Sequence, residues 1–466
     1  MMPRFDALII GTGQAGPFLA ERLAAAGQKV AVVERKLFGG TCVNTGCTPT
    51  KTMVASAYAA YVARRATDFG VLIRGAVSVD MRRVKARKDA VSEAHRSGVE
   101  NWLKQMKNCT VFEGHARFES EREVCVGEET ITADQIFINV GGRALVPAMP
   151  GLERVPFFTN SSMMAVDLLP KRLIIVGGSY VGLEFGQMFR RFGSEVVIVE
   201  RGTRLLPRED EDISATIQEI LEGEGIELQL GADCISFSGE AERISAQLDS
   251  SGAAREVTGT HVLLAVGRRP NTDDLGLEKA GVRVDGRGYI VVDDLLRTNV
   301  PGIWALGDCN GRGAFTHTAF NDFEIVAGNL LDHDQRRVTD RIPCYGLFID
   351  PPLGRVGVTE RDARETGRRV LVGKRPMTQV ARAVEKGEPR GLMKVVVDAG
   401  TGEILGAAIL GVGGDEAVHS LLDIMYAKAP YAVIQRAVHI HPTVSELIPT
   451  MLSELRPAAN QAYASK

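Results

Sequence analysis

The sequence predicts an α/β fold, on three observations. A glycine-rich loop, Gly11-Thr-Gly13-Gln-Ala-Gly16, joins an apolar strand to a helical stretch, and Gly177-Gly-Ser179-Tyr-Val-Gly182 repeats that arrangement. From about Ile342 onward the chain has neither loop, and strand-like and helical stretches alternate. Together these indicate two Rossmann-like nucleotide-binding domains followed by an α+β unit. The 466 residues, at about 150 per domain, give roughly three domains.

Composition narrows the function classes. Hydrophobic residues make up 45% and the net charge is −3. No basic tail or lysine block appears, so nucleic acid is not an expected partner. The first apolar run, Ala7–Ile10, is too short for a signal peptide. No run approaches the roughly 18 apolar residues of a membrane helix. Mostly isolated cysteines suit a reducing cytoplasm.

The elements follow in order. Arg4–Ile10 reads as a buried strand because Leu8, Ile9 and Ile10 are apolar in succession. Phe18–Ala26 is helical with Gly27 as its cap, and Lys29–Glu34 is the next strand. Glu34 stands where an acid binds a ribose hydroxyl, about 20 residues after the loop, so strand, loop, helix and acid complete a dinucleotide fingerprint. Met53–Leu103 reads as largely helical and solvated. Thr110–Val140 reads as short strands ending in Gln135–Val140, and Pro147 and Pro150 mark a linker. Leu173–Val176, a helix through Phe192 and the strand Glu195–Glu200 repeat the first pattern, with Glu200 in the place of Glu34. Ser179 replaces the middle glycine; it either holds the pyrophosphate slightly farther off or hydrogen-bonds it. Two fingerprints imply two nucleotides.

Between the first fingerprint and the helical region lies Gly39-Gly-Thr-Cys42-Val-Asn-Thr-Gly-Cys47-Thr-Pro-Thr-Lys51. Five residues of ideal helix rise roughly 7.5 Å, and a disulfide needs Cα atoms within about 7 Å. The pair can therefore bond only if the helix is distorted, which Gly46 makes easy. A structural disulfide, half a zinc site and a redox dithiol are the three readings. A second ligand pair for zinc is missing, because Cys109, Cys125, Cys234, Cys309 and Cys344 are scattered. Farther on come His261–Thr272, the stretch Gly302-Ile-Trp-Ala-Leu-Gly307-Asp308, and His439-Ile-His441-Pro-Thr-Val-Ser-Glu446. Pro442 restricts His441 to an extended or turn conformation.

The cysteine string resembles the active-site signature of the class I flavin disulfide reductases, the pyridine nucleotide-disulfide oxidoreductase family of dihydrolipoamide dehydrogenase, glutathione reductase and mercuric reductase. The later motifs match in the family's order, so the resemblance covers essentially the whole chain. It implies FAD on the first fingerprint, with Gly11, Gly13, Gly16, Glu34, Gly40, Thr41, Gly307 and Asp308 as binding residues. A nicotinamide is implied on the second, at Gly177, Gly182, Glu200 and Gly267. Domains are expected at 1–148 and 271–340 for FAD, 149–270 for the nicotinamide, and 341–466 for the dimerisation unit. The resemblance makes Cys47 the thiolate facing the flavin and Cys42 the thiol that attacks substrate. His441 is the base and Glu446 its carboxylate. Lys51 stands near the flavin ring with Glu184 as partner, and Tyr180 covers the flavin until nicotinamide enters. A homodimer is expected, with His441 of one subunit serving Cys42 of the other. The apolar residues Leu421, Leu422, Ile424 and Met425 and the helix Leu447–Leu452 either line that interface or pack within their own domain.

The stretches Pro351–Glu360 and Val380–Lys394 resemble the mercuric-reductase-like branch, which includes a copper reductase of reactive-chlorine resistance. The tail Ser453–Lys466 has no cysteine pair and no metal-binding domain precedes residue 1, both of which count against an efficient mercury enzyme. The expected activity is electron transfer from NADH, with NADPH possible, to a disulfide, metal-ion or quinone acceptor, without a resident metal. Dihydrolipoamide dehydrogenase is the alternative enzyme. A flavin-binding redox sensor or complex subunit is the alternative outside catalysis.

Overall fold

A computed structural model describes residues 2–232, 234–250 and 253–458. Its first sheet has seven strands. Arg4–Ile10 lies at the centre and pairs in parallel with Val30–Glu34 on one side and Glu129–Ile138 on the other, so Ile9 faces both Val32 and Phe137 in register. Leu8 and Ile9 are fully buried, as a central strand covered on both faces requires. Glu129–Ile138 changes partners along its length. Its first half pairs antiparallel with Glu123–Val126. Its second half lies parallel to both Arg4–Ile10 and Ile303–Ala305. The last of these strands therefore joins a sheet begun at residue 4.

The second sheet has five strands. Arg172–Val176 is flanked in parallel by Glu195–Glu200 and His261–Leu264. A three-stranded antiparallel meander, Cys234–Glu240, Arg243–Ser250 and Ala253–Gly259, leads back to His261. The third sheet has six strands, among them Cys344–Leu347, Leu353–Gly357, Leu392–Asp398 and Ile404–Leu410.

Several elements differ from the sequence reading. Met53–Leu103 is two helices, Cys47–Arg64 and Met81–Gln105, separated by a short turn and the irregular stretch 70–80. The strand before Gly141 begins at Glu129 and ends at Ile138. Asp415–Ala427 divides at Val418 into Gly414–Ala417 and His419–Tyr426. The apolar residues of the last unit pack internally: Leu421, Leu422, Ile448, Met451 and Leu452 share one core with Val395 and Ile409. Those residues are therefore covered by their own unit, while Ile424, Met425 and Leu447 stay partly exposed. Of the tail, residues 459–466 lie outside the described residues.

Candidate active site

The cysteines stand on two helices. Gly40–Asn44 carries Cys42, the chain breaks at Thr45 and Gly46, and Cys47 opens Cys47–Arg64. Gly46 has a ψ of −119°, outside the helical range. A Cβ there would lie 2.8 Å from the Thr41 carbonyl oxygen, so the two helices meet too closely for a side chain. Cys42 is half-buried and Cys47 exposed, both as free thiols.

Their environments separate them. Cys47 sits at a helix N-terminus, where partial positive charge favours a thiolate. Its thiol is lowered to about 6, first by the hydrogen bond with Cys42, then by Thr316 and by the charge of Lys51, against the opposing effect of burial. The Thr316 hydroxyl is 3.1 Å from Cys47 Sγ. Cys42 is pushed up by its hydrogen bond to Cys47 and by burial. One thiol is set to ionise and the other to keep its proton.

Lys51 follows Cys47 by one helical turn, on the same face. Its Nζ is 2.7 Å from Glu184 Oε2 and 4.5 Å over the Phe348 ring. The other oxygen of buried Glu184 accepts the Phe348 backbone N–H at 3.0 Å. Glu184 lies on Tyr180–Phe192, the helix following the second glycine loop, and Tyr180 is its first residue. The Tyr180 ring is edge-on to Phe315 and Tyr345. Phe315 immediately precedes Thr316, so Tyr180 and Cys47 approach the same short segment.

The two glycine loops share a construction. Glu34 accepts from the Thr12 N–H at 3.1 Å, the Thr12 hydroxyl at 2.6 Å and the Lys36 N–H at 2.8 Å. Glu200 accepts from the Gly178 N–H at 2.6 Å and the Gly202 N–H at 2.7 Å. Each acid thus ties the end of the second strand to the loop after the first. A Cβ on Gly16 would lie 2.4 Å from the Gly11 carbonyl oxygen, and one on Gly182 would lie 1.9 Å from that of Gly177. In both loops the backbone folds against the start of the helix, leaving a cradle only glycine permits. This fits a pyrophosphate at each helix N-terminus. Gly11, Gly13, Gly177 and Gly267 lie in the same loops or beside them. Ser179 makes no capping hydrogen bond.

Distant residues complete the first site. Asn139 accepts the Gly16 N–H at 3.1 Å and donates to the Leu306 carbonyl at 3.0 Å, so one amide joins the loop to the turn carrying Gly307 and Asp308. Gly40 packs directly on Gly13, and the Thr41 hydroxyl donates to the Gly142 carbonyl at 3.4 Å. Burial raises the Asp308 carboxyl, against the nearby Arg268 guanidinium at 3.4 Å. Both line a cavity of about 500 Å³ that Phe315, Cys344 and Tyr345 also enclose.

His441 stands apart. Its Nδ1 is 2.9 Å from Glu446 Oε2 and 3.1 Å from Oε1. The side chain is 75% exposed, and among the described residues it hydrogen-bonds only Glu446. Val438 and Ile440 beside it are 99% and 80% exposed. The structure therefore gathers Cys42, Cys47, Lys51, Glu184 and Tyr180 around one place. It pairs His441 with Glu446 on an outward face. Thr316, Asn139 and Phe348 join the site without having been singled out in the sequence. None belongs to a recognisable local pattern.

Residues 5–322 match the pyridine nucleotide-disulphide oxidoreductase family and residues 344–452 match its dimerisation domain. The chain belongs to this family. It is 36% identical over 461 residues to a probable pyridine nucleotide-disulfide oxidoreductase, RclA, of Escherichia coli, covering 97% of this chain and 99% of the relative. A dihydrolipoyl dehydrogenase of Thermus scotoductus is 34% identical over 449 residues, covering 96% of each. Among solved structures, a Cu(II) complex of the HOCl-induced flavoprotein disulfide reductase RclA from Escherichia coli aligns with a TM-score of 0.88 at 36% identity, covering 97% of this chain and 99% of that one. Family membership makes the chain an oxidoreductase that uses FAD and a pyridine nucleotide. No described helix is long and apolar enough to cross a membrane. No described group of three His, Cys, Asp or Glu side chains could hold a metal ion.

Proposed function

We propose that this chain carries electrons from NADH through FAD and the Cys42–Cys47 pair to a small disulfide or a metal ion. The observation that carries the reading is the opposite setting of the two thiols beside the Lys51–Glu184 pair. FAD, held by Gly11, Gly13, Gly16, Glu34, Gly40, Thr41, Gly307 and Asp308, would supply the two electrons that open the disulfide. Cys47 receives the negative charge, stabilised by its helix N-terminus, Thr316 and Lys51. Cys42 takes a proton and becomes the nucleophile toward the acceptor. Because its thiol is pushed up, Cys42 needs a base to ionise, and an imidazole oriented by Glu446 is suited to that work. The outward-facing, exposed His441 supports a base that comes from the second subunit of the homodimer. Exposed Val438 and Ile440 beside it, and Val71, Leu72 and Ile73 near the first helices, are apolar surface for that contact.

On the second fingerprint, Gly177, Gly182 and Gly267 would hold the nicotinamide cofactor, and Glu200 favours a free 2′-hydroxyl over a phosphate. Arg204 is already engaged with the Pro207 carbonyl at 2.9 Å, which takes one cation away from a 2′-phosphate. Strand membership supports the division into 1–148 with 271–340, 149–270, and 341–466, except that Arg268–Pro270 pairs with Gly142–Ala144 across the first boundary. The expected setting is the cytoplasm. Likeness to a reductase whose structure is a Cu(II) complex supports a metal-ion acceptor, and likeness to a dihydrolipoyl dehydrogenase supports lipoamide. Anaerobic reduction by NADH should give a long-wavelength thiolate-to-flavin band that Cys47→Ser abolishes, while Cys42→Ser displays the band before reduction. A band surviving in Cys47→Ser would reverse the two roles. Steady-state turnover with lipoamide, glutathione disulfide, mercuric ion, cupric ion and quinones then selects the acceptor. Failure with every one would favour a redox sensor or complex subunit.

A further inference from the structure

We propose that Phe348 is a positioning residue that seats both members of the Lys51–Glu184 pair, and that Gln187 is the clasp that holds Phe348 there. This rests on the reading of Lys51 as the cation that favours the Cys47 thiolate. Phe348 belongs to the third unit, in the connection 348–352 between Cys344–Leu347 and Leu353–Gly357. One residue grips two charges. Its backbone N–H donates to Glu184 Oε1 at 3.0 Å, and its ring lies under Lys51 Nζ at 4.5 Å. The other Glu184 oxygen, Oε2, is left for Lys51 at 2.7 Å. A lysine stem is long and flexible, and the Lys51 side chain is 34% exposed. These two contacts therefore decide where the ammonium stands.

The connection lies between strands, so its backbone groups need other partners. A single helix supplies them. Glu184, Gln187 and Arg191 lie on Tyr180–Phe192 at spacings that put them on one face. Gln187 Oε1 accepts the Asp350 N–H at 2.7 Å, and Nε2 donates to the Asp350 carbonyl at 2.8 Å. The same Nε2 donates to Glu224 Oε1 at 3.1 Å. Arg191 donates to the Asp350 carboxylate, bonds Glu224 through Nε at 2.8 Å, and lies 4.0 Å over the Tyr61 ring. Tyr61 is on Cys47–Arg64, the helix that opens with Cys47. Gln187 is 3% exposed, and a buried amide whose hydrogen bonds are made is firmly fixed. Tying down Asp350 keeps Phe348 against the two charges. The groups acting on Cys47 are Cys42, Thr316, Lys51 and Glu184, of which Lys51 favours the thiolate and Glu184 opposes it. Withdrawing Phe348 frees the ammonium and takes a donor from the carboxylate, and both changes disfavour the thiolate.

Gln187→Met keeps the length of the side chain and removes the clasp. The readout is the long-wavelength thiolate band of the FAD-loaded dimer, reduced anaerobically with dithionite and followed against pH. Dithionite bypasses the nucleotide, so only the site is read. Lys51→Met should raise the midpoint from about 6 by about one unit. Gln187→Met should raise it by about half a unit, a roughly threefold fall in the thiolate-to-thiol ratio. Phe348→Leu keeps the backbone N–H and removes the ring. It should shift the midpoint the same way, and it covers the case in which Gln187→Met folds poorly. In the Lys51→Met background most of the Gln187→Met shift should vanish, because the clasp acts through the lysine. A merely structural glutamine would lower Tm and leave the midpoint in place. An unchanged midpoint in Lys51→Met overturns the reading of Lys51 and the clasp with it. A shift in Lys51→Met with none in either Gln187→Met or Phe348→Leu overturns the clasp alone. A shift in Gln187→Met but none in Phe348→Leu overturns the ring contact. A full Gln187→Met shift on top of Lys51→Met would mean that the clasp reaches Cys47 by another route, and overturns Phe348 as the seat.

Discussion

Replacing Thr316 by valine removes the hydroxyl 3.1 Å from Cys47 Sγ at nearly constant volume. The hydroxyl favours the charged form of its partner, so deleting it must raise the Cys47 pKa. Hydrogen bonds to charged groups contribute about 1.5–3 kcal/mol, and one pKa unit corresponds to about 1.4 kcal/mol. Sulfur is a weak acceptor, which places the effect at the low end, near one unit. The wild-type thiol titrates at about 6, so the variant should titrate at about 7. Cys42, Lys51 and the helix N-terminus still act on Cys47, so the thiolate is weakened rather than lost. The assay is the long-wavelength band of the NADH-reduced enzyme, followed anaerobically against pH. The band belongs to the thiolate, so it is present above the midpoint and fades as pH falls through it. In wild type it should persist to about pH 6, and in the variant fade about one unit higher. An unchanged midpoint would show that Thr316 does not stabilise the thiolate and would remove the hydroxyl from the site's electrostatics.

Three further outcomes are expected. Glu200→Ala should lower kcat/KM for NADH while narrowing its advantage over NADPH, and should raise both KM values because the Gly178 and Gly202 amides lose their acceptor; a wild type preferring NADPH would refute the specificity. Gly46→Ala should destabilise the fold by about 1–3 kcal/mol, read as a lowered Tm, because the added Cβ meets backbone 2.8 Å away; an unchanged Tm would mean the two helices can separate freely. Mixing Cys42→Ser with His441→Ala subunits, each inactive alone, should restore one working site per mixed dimer, and no activity in a mixed dimer confirmed by differential tagging would place base and thiol in one chain.

What the sequence showed of the site was what lies close together along the chain. Gly11 to Glu34, Gly177 to Glu200, Cys42 to Lys51 and His441 to Glu446 are each short enough for spacing to carry meaning. The residues that tune those motifs come from elsewhere. Thr316 reaches Cys47 across the chain, Phe348 holds Glu184 by a backbone N–H, and Asn139 joins two turns. None has a distinctive neighbour pattern, because tertiary folding alone brings each to its partner. The break near Gly70 within Met53–Leu103 was likewise hidden, since charged helix-forming residues lie on both sides of it. The apolar residues around Leu421 were legible as a core but not as whose core, and burial alone assigned them to their own unit.

The strand Ile303–Ala305 sets an order of assembly. A ribosome releases residues 4–138 first, yet the edge formed by Ile136–Ile138 stays open until Ile303–Ala305 emerges. The Leu306 carbonyl that receives Asn139 arrives with that strand. Meanwhile the strands of the second sheet, from Phe158 to His261–Leu264, have already been delivered. The unit encoded later can close before the one encoded first, reversing the usual N-terminal-first sequence of domain folding. A nascent chain thus carries an unpaired strand edge, a site for wrong pairing, through the synthesis of more than a hundred residues. Any fragment ending near residue 148 keeps that edge permanently, so the first nucleotide site cannot be excised as a self-sufficient module.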